Sequence, residues 1–357
     1  MQQTELKKKY IMFIQNNRKV CDYMRKDKVN KRPELSIIVP VFNVEKWIDR
    51  CLKSILAQSF SDYELIIVND GSTDSSLEIC ENYSKNDSRI VLLSKKNGGL
   101  SDARNYGLKH AKGDYVVFID SDDFIEKNYL KELLTTIKKG NSDIAICGFY
   151  LTDSTGNKLS EWPASEKLNF SVNKKIISGR DLLYYLYQES GWVNVPAWNK
   201  IYKRILLGNA PFKKGIFFED SALIHHLVWN IKRISVIHKP LYNYVQRDNS
   251  ILNSPVNIKK IKDRDLYSVD RIKFFKINDS ELYRLSVNAY RKWIIGLITD
   301  HNDLLNNTKL MHYFTHQFRK YHKVSAFDNK EQVKQFVGCI SITLLIQIIE
   351  LKQLLKK

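Results

Sequence analysis

Three aspartates lie within four residues at the end of an apolar run: Asp120, Asp122 and Asp123. The run from 115 to 119 is typical of a buried strand, and ligand sites of open α/β sheets lie beyond the carboxyl ends of strands. Carboxylates at this spacing repel one another unless a cation lies among them. Oxygen ligands of this kind suit Mg²⁺ or Mn²⁺ holding a diphosphate. The alternative is an acidic strand-to-loop turn, because aspartate also favours turns.

Short apolar runs alternate with helical patterns along the first 150 residues. We predict strands at 35–42, 64–68, 90–93, 115–119 and 144–147. We predict helices that begin near Trp47, at a Ser75–Glu78 capping box, at Leu100 and near Lys127. This alternation indicates an α/β fold with a mostly parallel sheet and right-handed crossovers. The chain has no G-x-G-x-x-G fingerprint of dinucleotide-binding domains.

Four motifs in this order resemble the family-2 glycosyltransferases of the GT-A fold. They are 36–43, 64–74, 97–107 and 120–123. The resemblance is strong over about 34–150 and extends more weakly to Ser250, through 198–202, 218–220 and 242–244. It implies a GT-A nucleotide-sugar-binding domain with a mostly parallel central sheet, followed by a mainly helical C-terminal region. It also implies transfer of a sugar from a nucleotide-sugar donor, usually with inversion at the anomeric carbon.

The resemblance assigns donor-binding positions around the first strands. It implies that Asp70 binds the uracil or ribose, whereas an Asx turn with Gly71 is the alternative. Arg104 is expected near the uridine and the metal loop, or as a partner that braces Asp120 or Asp123. The other expected donor-binding residues are Pro40, Phe42, Asn43, Asn97, Gly98 and Ser121.

The acidic motif resembles the family's DXD sequence. We expect Asp122 to coordinate Mn²⁺ or Mg²⁺ directly and Asp120 to bind the ribose or the metal. Such a cation would bridge both phosphates and neutralise the leaving diphosphate. Asp123 is expected to cap the following helix.

Transfer to a sugar hydroxyl also needs a base, because the hydroxyl is a poor nucleophile at neutral pH. Glu219 and Asp220 match the family's late acidic pair, and we predict Asp220 as the general base. Adjacent carboxylates raise one another's pKa, which makes a better base. The alternative is an ordinary helix start, where acidic residues are favoured in the first turn.

Aromatic residues of the second half offer less specific signals. Trp192 and Trp198 are candidates for stacking on the acceptor sugar, although tryptophans are also ordinary core residues. Tyr242, Tyr244 and Arg247 could close over the diphosphate, or the tyrosines could belong to a strand that packs its aromatics.

The histidines and cysteines give no strong metal motif. His312 and His316 lack the glutamate of H-E-x-x-H, and no cysteine or acidic partner clusters near them in the sequence. His225 or His226 could supply a third ligand to the diphosphate metal, but exposed or core histidine is the simpler interpretation. The five cysteines are scattered and include no C-x-x-C, which suggests small buried side chains in a reducing compartment.

Net charge is +18 and unevenly distributed. It is +7 over 1–32, −4 over 33–150 and +15 over 151–357. We predict a basic N-terminal helical extension (1–32), a nucleotide-sugar-binding half (33–150), an acceptor-side half (151–255) and a helical, basic C-terminal region (256–357). The uncharged stretch 336–349 is too short to span a bilayer, and suits a surface-lying helix, a buried helix or an oligomer contact.

The basic regions favour contact with an anionic membrane face over nucleic acid. With no secretory signal in the sequence, we expect a cytoplasmic protein peripheral to the inner face of the cell membrane. We predict an inverting, metal-dependent transferase that takes a UDP-sugar and a lipid-linked saccharide acceptor of surface polysaccharide, with a possible homo-oligomer. The rival interpretations are a sugar-nucleotide nucleotidyltransferase, which would need a glycine-rich basic loop near 41–45, and a non-catalytic nucleic-acid-binding protein.

Overall fold

The computed structural model describes residues 32–162, 175–188, 190–247, 254–305, 308–322 and 324. The predictions for the N-terminal extension and for 336–349 lie outside these residues. Within them the chain forms one large sheet flanked by helices, and a second group of helices follows Val256. The predicted α/β class with a helical C-terminal region is therefore confirmed.

The sheet contains ten strands within the described residues. They are β1 Leu35–Val41, β2 Tyr63–Asn69, β3 Ile90–Ser94, β4 Tyr115–Phe118, β5 Phe124–Ile125, β6 Ile144–Thr152, β7 Lys158–Trp162, β8 Ile176–Ile177, β9 Lys200–Lys203 and β10 Ile234–Val245. The main path runs β3-β2-β1-β4-β9-β6-β10-β5, with β7 beside β6 and β8 beside β10. Strands β1 to β4 pair in parallel, as do β6 and β10, whereas β9 lies antiparallel between β4 and β6.

Ten helices accompany these strands in the part of the chain that is described. They are α1 Ile48–Leu56, α2 Ser76–Asn86, α3 Leu100–His110, α4 Tyr129–Lys139, α5 Gly179–Tyr185, α6 Glu219–Val228, α7 Ile258–Asn278, α8 Ser280–Asp300, α9 Asn302–Leu305 and α10 Thr308–Lys320. The predicted capping box before α2 is wrong, because the Ser75 side chain makes no cap hydrogen bond. The Ser76 hydroxyl instead accepts the Val44 N–H at 2.9 Å and ties α2 to the end of β1.

Pro40 lies in β1, a central strand, although proline usually avoids such positions. The pairing explains the exception. β1 pairs with β2 along its full length, but its pairing with β4 ends at Ile38 opposite Phe118. The nitrogen of Pro40 faces the β4 side of β1, where β4 has already ended. The missing N–H of proline therefore costs no ladder hydrogen bond. This early end of β4 also opens the edge where the acidic motif lies.

Two hydrophobic cores hold the described residues together. The larger core packs both faces of the sheet and reaches Phe275 of α7 and Leu282 of α8. The smaller core joins α7, α8, α9 and α10 around Tyr290, Ile294 and Phe314. No helix among the described residues is both long and apolar enough to cross a membrane.

Candidate active site

The carboxyl ends of β1, β2 and β4 lie at one edge of the sheet, and the predicted donor-binding residues gather there. Asn43 has a left-handed backbone with φ 51°. Its side-chain oxygen accepts the Thr73 N–H at 2.8 Å, and its own N–H donates to Ser72 Oγ at 3.2 Å. These bonds join the loops after β1 and β2. The ring of Phe42 is 47% exposed at this edge.

Asp70 follows β2 and is 2% exposed. Its carboxylate accepts the N–H groups of Gly98 at 3.0 Å and Gly99 at 2.7 Å, and pairs with Lys95 Nζ at 2.5 Å. The predicted Asx turn with Gly71 is not what holds it. Asp70 instead orders the loop between β3 and α3, where Gly99 needs its positive φ of 85°. A contact between Asp70 and the donor stays a prediction.

Lys95, which has no predicted role, lies in this loop between two carboxylates. Its ammonium lies 2.5 Å from Asp70 and 2.7 Å from Asp102. Burial alone would lower the pKa of Lys95, but these two partners raise it. The sequence feature that could have indicated this role is a lysine just before Asn97-Gly98-Gly99. Its partners, Asp70 and Asp102, could not be deduced from spacing.

Arg104 of α3 is the centre of the site. Its guanidinium, 1% exposed, lies 2.7 Å from Asp120, 2.7 Å from Glu219 and 3.1 Å from Asp220. Burial alone would lower the pKa of Arg104, but the three carboxylates raise it. The prediction that Arg104 braces the acidic loop through Asp120 is confirmed. The same side chain also joins Asp120 to the late acidic pair, 99 and 100 residues further along the chain.

The three aspartates of the acidic motif have different partners. Asp122 pairs with Arg247 Nε at 2.6 Å, and this guanidinium lies over the Trp47 ring, 4.9 Å from its centroid. Asp120 faces Arg104 with one oxygen. Burial raises the pKa of Asp122, whereas Arg247 opposes that rise. Burial disfavours the ionised form of Asp122, and the neighbouring Asp120 is 23% exposed. Both features fit a hard divalent cation, whose ligands are oxygens.

Asp123 does not cap the following helix, so that prediction is wrong. Its carboxylate, 1% exposed, accepts the Tyr242 hydroxyl at 2.7 Å and the Val245 N–H at 2.8 Å. The Tyr242 oxygen in turn accepts the Asp120 N–H at 3.1 Å. Burial and the neighbouring aspartates raise the pKa of Asp123. This residue anchors the acidic loop to β10 and is not available to a ligand.

Glu219 and Asp220 begin α6, so the pair is both a helix start and a site element. The preceding Phe218 takes a left-handed φ of 62° and provides no side-chain cap. Asp220 Oδ2 accepts the Ala197 N–H at 2.9 Å, and Oδ1 faces Arg104. Burial raises the pKa of both carboxyls, with the neighbouring Asp220 adding to the rise for Glu219, whose pKa reaches about 7.

The two candidate acceptor tryptophans differ in exposure. Trp198 is 5% exposed and stacks on Tyr242 with ring centroids 4.3 Å apart, so it is a core residue with no face for a sugar. Trp192 is 43% exposed and packs beside Trp162 and Phe149, each with centroids 5.6 Å away. Only Trp192 of the pair retains the geometry of a sugar platform.

Lys200 is a buried cation near the acidic pair that the sequence analysis did not single out. Its ammonium bonds to the Pro196 carbonyl and to Asn199 Oδ1. Burial lowers the pKa of Lys200 to about 7, and the charge of Asp220 opposes that effect. His225 and His226, the candidate third ligands of the diphosphate metal, have another partner, since both contact Asp270 of α7.

The remaining predicted donor residues line the same edge with different exposure. Pro40 and Ser121 are buried, whereas Asn97 and Gly98 are exposed in the loop before α3. Arg104 brings Asp120 together with Glu219 and Asp220. The candidate acceptor residue Trp198 is instead enclosed by aromatic rings.

Comparison with known proteins identifies a family match over the first half of the chain. Residues 36–189 match the family model described as Glycosyl transferase family 2. Glycosyltransferase GlyA of Streptococcus pneumoniae serotype 4 is 35% identical over 221 residues, which are 61% of this chain and 31% of GlyA. Glycosyltransferase GlyG of the same organism is 28% identical over 280 residues, 77% of this chain and 90% of GlyG. The chain thus spans about a third of GlyA and nearly all of GlyG.

A solved structure supports the same fold over most of the chain. S. aureus TarS 1–349 in complex with UDP-GlcNAc superposes with a TM-score of 0.69 at 20% identity, covering 91% of this chain and 92% of that one. At this identity the likeness establishes the fold alone. The chain thus contains a segment, residues 36–189, that matches glycosyltransferase family 2, and its fold is GT-A.

Proposed function

We propose that this protein transfers a sugar from a UDP-sugar to a hydroxyl of a saccharide acceptor, with inversion at the anomeric carbon. The observation that carries the proposal is the contact of one buried guanidinium, Arg104, with both Asp120 and Asp220. Through this contact Asp120, a candidate ligand of the sugar donor, and Asp220, the candidate base, lie in the same part of the site. The UDP-GlcNAc complex of TarS, which shares the fold, supports a uridine nucleotide as the donor.

In this proposal the donor nucleotide lies at the ends of β1, β2 and β4. Phe42 stacks on the base, and Asn43 shapes the loop beneath it. Asp120 and Asp122 would hold Mn²⁺ or Mg²⁺, and the bound cation supplies Lewis-acid stabilisation of the leaving diphosphate. Arg247, which pairs with Asp122, is placed to turn to the diphosphate when Asp122 binds a cation.

Asp220 acts as the general base. The Ala197 N–H and Arg104 fix the orientation of its carboxylate, and burial raises its pKa. Asp220 takes the proton of the acceptor hydroxyl as that oxygen forms a bond to the anomeric carbon. The bond from this carbon to the diphosphate oxygen breaks on the opposite face, which inverts the configuration. Glu219 contacts the same guanidinium, that of Arg104, and places a second carboxyl group beside Asp220.

Trp192 supplies the proposed acceptor platform. It precedes Ala197, whose N–H holds Asp220, so a sugar on the exposed Trp192 ring lies on the segment that orients the base. We propose a lipid-linked saccharide acceptor for surface polysaccharide, at the inner face of the membrane. Its support is the net charge of +15 over 151–357, which favours an anionic surface. The predicted homo-oligomer stays a prediction.

Calorimetric titration with UDP, UDP-glucose, UDP-galactose and UDP-GlcNAc, with and without Mn²⁺, tests this proposal. We expect saturable, Mn²⁺-enhanced binding to the wild type and a loss of that enhancement in Asp122→Ala. The matched control is Asp143→Ala, which removes a surface ion pair with Lys203 at the opposite edge of the sheet. Absence of binding by any uridine nucleotide would overturn the donor assignment. Salt-sensitive binding of RNA or DNA instead would favour the non-catalytic alternative.

A further inference from the structure

A second cluster of metal-ligating side chains lies on the far part of α6. His225 Nε2 is 3.0 Å and His226 Nε2 is 2.8 Å from the same oxygen of Asp270 in α7. All three potential ligand atoms lie within 4.8 Å of one another. Asp270 is 44 residues beyond His226 in the chain, so sequence spacing alone does not pair the two residues.

The spacing of these atoms is close to that of a zinc ligand set. Zinc bonds to imidazole nitrogen and carboxylate oxygen are about 2.0–2.2 Å long and tetrahedrally arranged, so ligand atoms lie about 3.3 Å apart. The two histidine–aspartate separations of 3.0 and 2.8 Å would open by only a few tenths of an ångström. Nitrogen donors beside one carboxylate suit zinc better than Mg²⁺ or Mn²⁺.

The burial of the three side chains also fits a metal site. The side chain of His225 is fully buried. His225 Nδ1 has no hydrogen-bond partner among the described residues, so the polar contact of this buried ring is directed at Asp270. The side chains of His226 and Asp270 are 49% and 50% exposed, which leaves a route for the ion.

We propose that His225, His226 and Asp270 form a zinc site that joins α6 to α7, with water as the fourth ligand. The site is distinct from the acidic edge, whose donors are carboxylates. It bears on catalysis through α6, which begins with Glu219 and Asp220. Arg271, next to Asp270, already donates to the Ser221 carbonyl at 2.5 Å. Zinc would add a second tie between the same two helices, and the proposal does not depend on the donor or acceptor assignment.

Zinc content after chelator treatment, reloading with zinc and dialysis tests this site. We expect one retained zinc per wild-type chain, and loss of that zinc in His226→Ala and in Asp270→Asn. His312→Ala is the matched control, because His312 is an exposed histidine of α10 outside the cluster. Asp122→Ala is the second control and should retain zinc, since its side chain belongs to the acidic edge.

Two further measurements distinguish zinc bound by this cluster from zinc bound elsewhere on the protein. Cobalt substitution should give the visible absorption of a four-coordinate ion in the wild type and in both controls, but not in the two cluster variants. Zinc should raise the melting temperature only of proteins that retain it, because binding to the native state stabilises that state. Circular dichroism of the metal-free variants checks their folding, which half-exposed positions should tolerate. No retained zinc in the wild type, or equal retention in the cluster variants, would overturn the proposal.

Discussion

Arg104 of α3 and Asp120, which follows β4, form a salt bridge of 2.7 Å in which the arginine side chain is buried and the aspartate is partly exposed. The second amino group of the same guanidinium reaches Glu219 and Asp220. A planar guanidinium offers donors in fixed directions, whereas an ammonium offers one compact charge. The distance between Asp120 and the proposed base, Asp220, is therefore set by one side chain.

Arg104→Lys tests this geometry. We expect sugar transfer to fall about a hundredfold, because a lysine cannot contact three carboxylates in the same directions and a shift of about 1 Å is costly in a positioned site. Initial rates of transfer at saturating donor measure the effect, and thermal unfolding checks that the variant folds. Lys95→Arg is a useful control, since it keeps a cation in the neighbouring loop. Wild-type rates in Arg104→Lys would show that charge alone suffices.

Asp220→Asn tests the base. The amide keeps the size of the side chain but takes no proton, so we expect the transfer rate to fall by about 10² to 10⁴. Donor affinity measured by calorimetry should change little. Glu219→Gln is the informative comparison, because Glu219 shares Arg104 but lacks the Ala197 contact. A larger rate loss in Glu219→Gln than in Asp220→Asn would move the role of base to Glu219.

Protonation of Glu219 should appear in the pH dependence of stability. Burial, with Asp220 beside it, raises the pKa of Glu219 from 4.5 to about 7. The folded state therefore holds this proton more tightly than the unfolded chain does. The resulting stability is fully present below pH of about 4.5 and is lost as pH rises through about 7. We expect this decline to amount to about 1–3 kcal/mol in the free energy of unfolding.

Urea unfolding of the wild type and Glu219→Gln at several pH values between 5 and 8 measures this effect. Glutamine does not titrate, so the variant should lose less stability across that range than the wild type. Other buried carboxyls titrate in both proteins, and only the difference between them reports Glu219. Glu81→Gln, an exposed site on α2, should follow the wild type. Parallel curves for Glu219→Gln and wild type would contradict the raised pKa.

Tyr242→Phe tests the anchor of the acidic loop. The lost hydroxyl donates to Asp123 and accepts the Asp120 N–H, so two buried polar groups lose a partner. We expect a loss of about 1–3 kcal/mol in the free energy of unfolding, together with weaker Mn²⁺-dependent donor binding. Tyr106→Phe serves as the control, because the hydroxyl of this half-buried tyrosine makes no hydrogen bond with a described residue. Unchanged stability in Tyr242→Phe would mean that water replaces the hydroxyl.

The sequence predicted the elements that local pattern determines. Periodicity located β1 to β4 and the helices between them, and the acidic motif lies at a strand end as expected. The insertion of β9 between β4 and β6 was not foreseen, because a four-residue strand carries little pattern and its pairing is decided by distant residues. The capping box failed for a similar reason, since the Ser75 N–H, which Glu78 would accept in the box, donates instead to the Glu45 carboxylate of another loop.

In the candidate site, too, local features were predictable from the sequence and long-range contacts were not. The identities of Arg104 and Asp120 were predictable, and so was their pairing. The contact of Arg104 with Asp220 was not, because it joins segments more than a hundred residues apart. Asp123 was assigned to a helix cap on local grounds, whereas β10 brings Tyr242 to it. Long-range partners of polar side chains are what spacing cannot supply.

Trp192→Ala tests the acceptor platform. The exposed ring packs beside Trp162 and leaves a free face, whereas Trp198 is enclosed by Tyr242 and Tyr244. Removing a stacking surface that binds the acceptor equally in the ground and transition states should raise the acceptor KM with little change in kcat. We expect a rise of about tenfold, which corresponds to an aromatic contact of about 1.4 kcal/mol.

The measurement is a set of acceptor saturation curves at constant, saturating donor. Ile205→Ala is the control, because Ile205 is 51% exposed and lies in the short turn after β9. Donor KM should be the same in all three proteins. If Trp192→Ala instead lowers kcat at unchanged acceptor KM, the ring supports the segment that orients Asp220 and does not bind the sugar. Which of the two parameters changes thus separates a platform from a positioning residue, since only the platform meets the acceptor before the reaction begins.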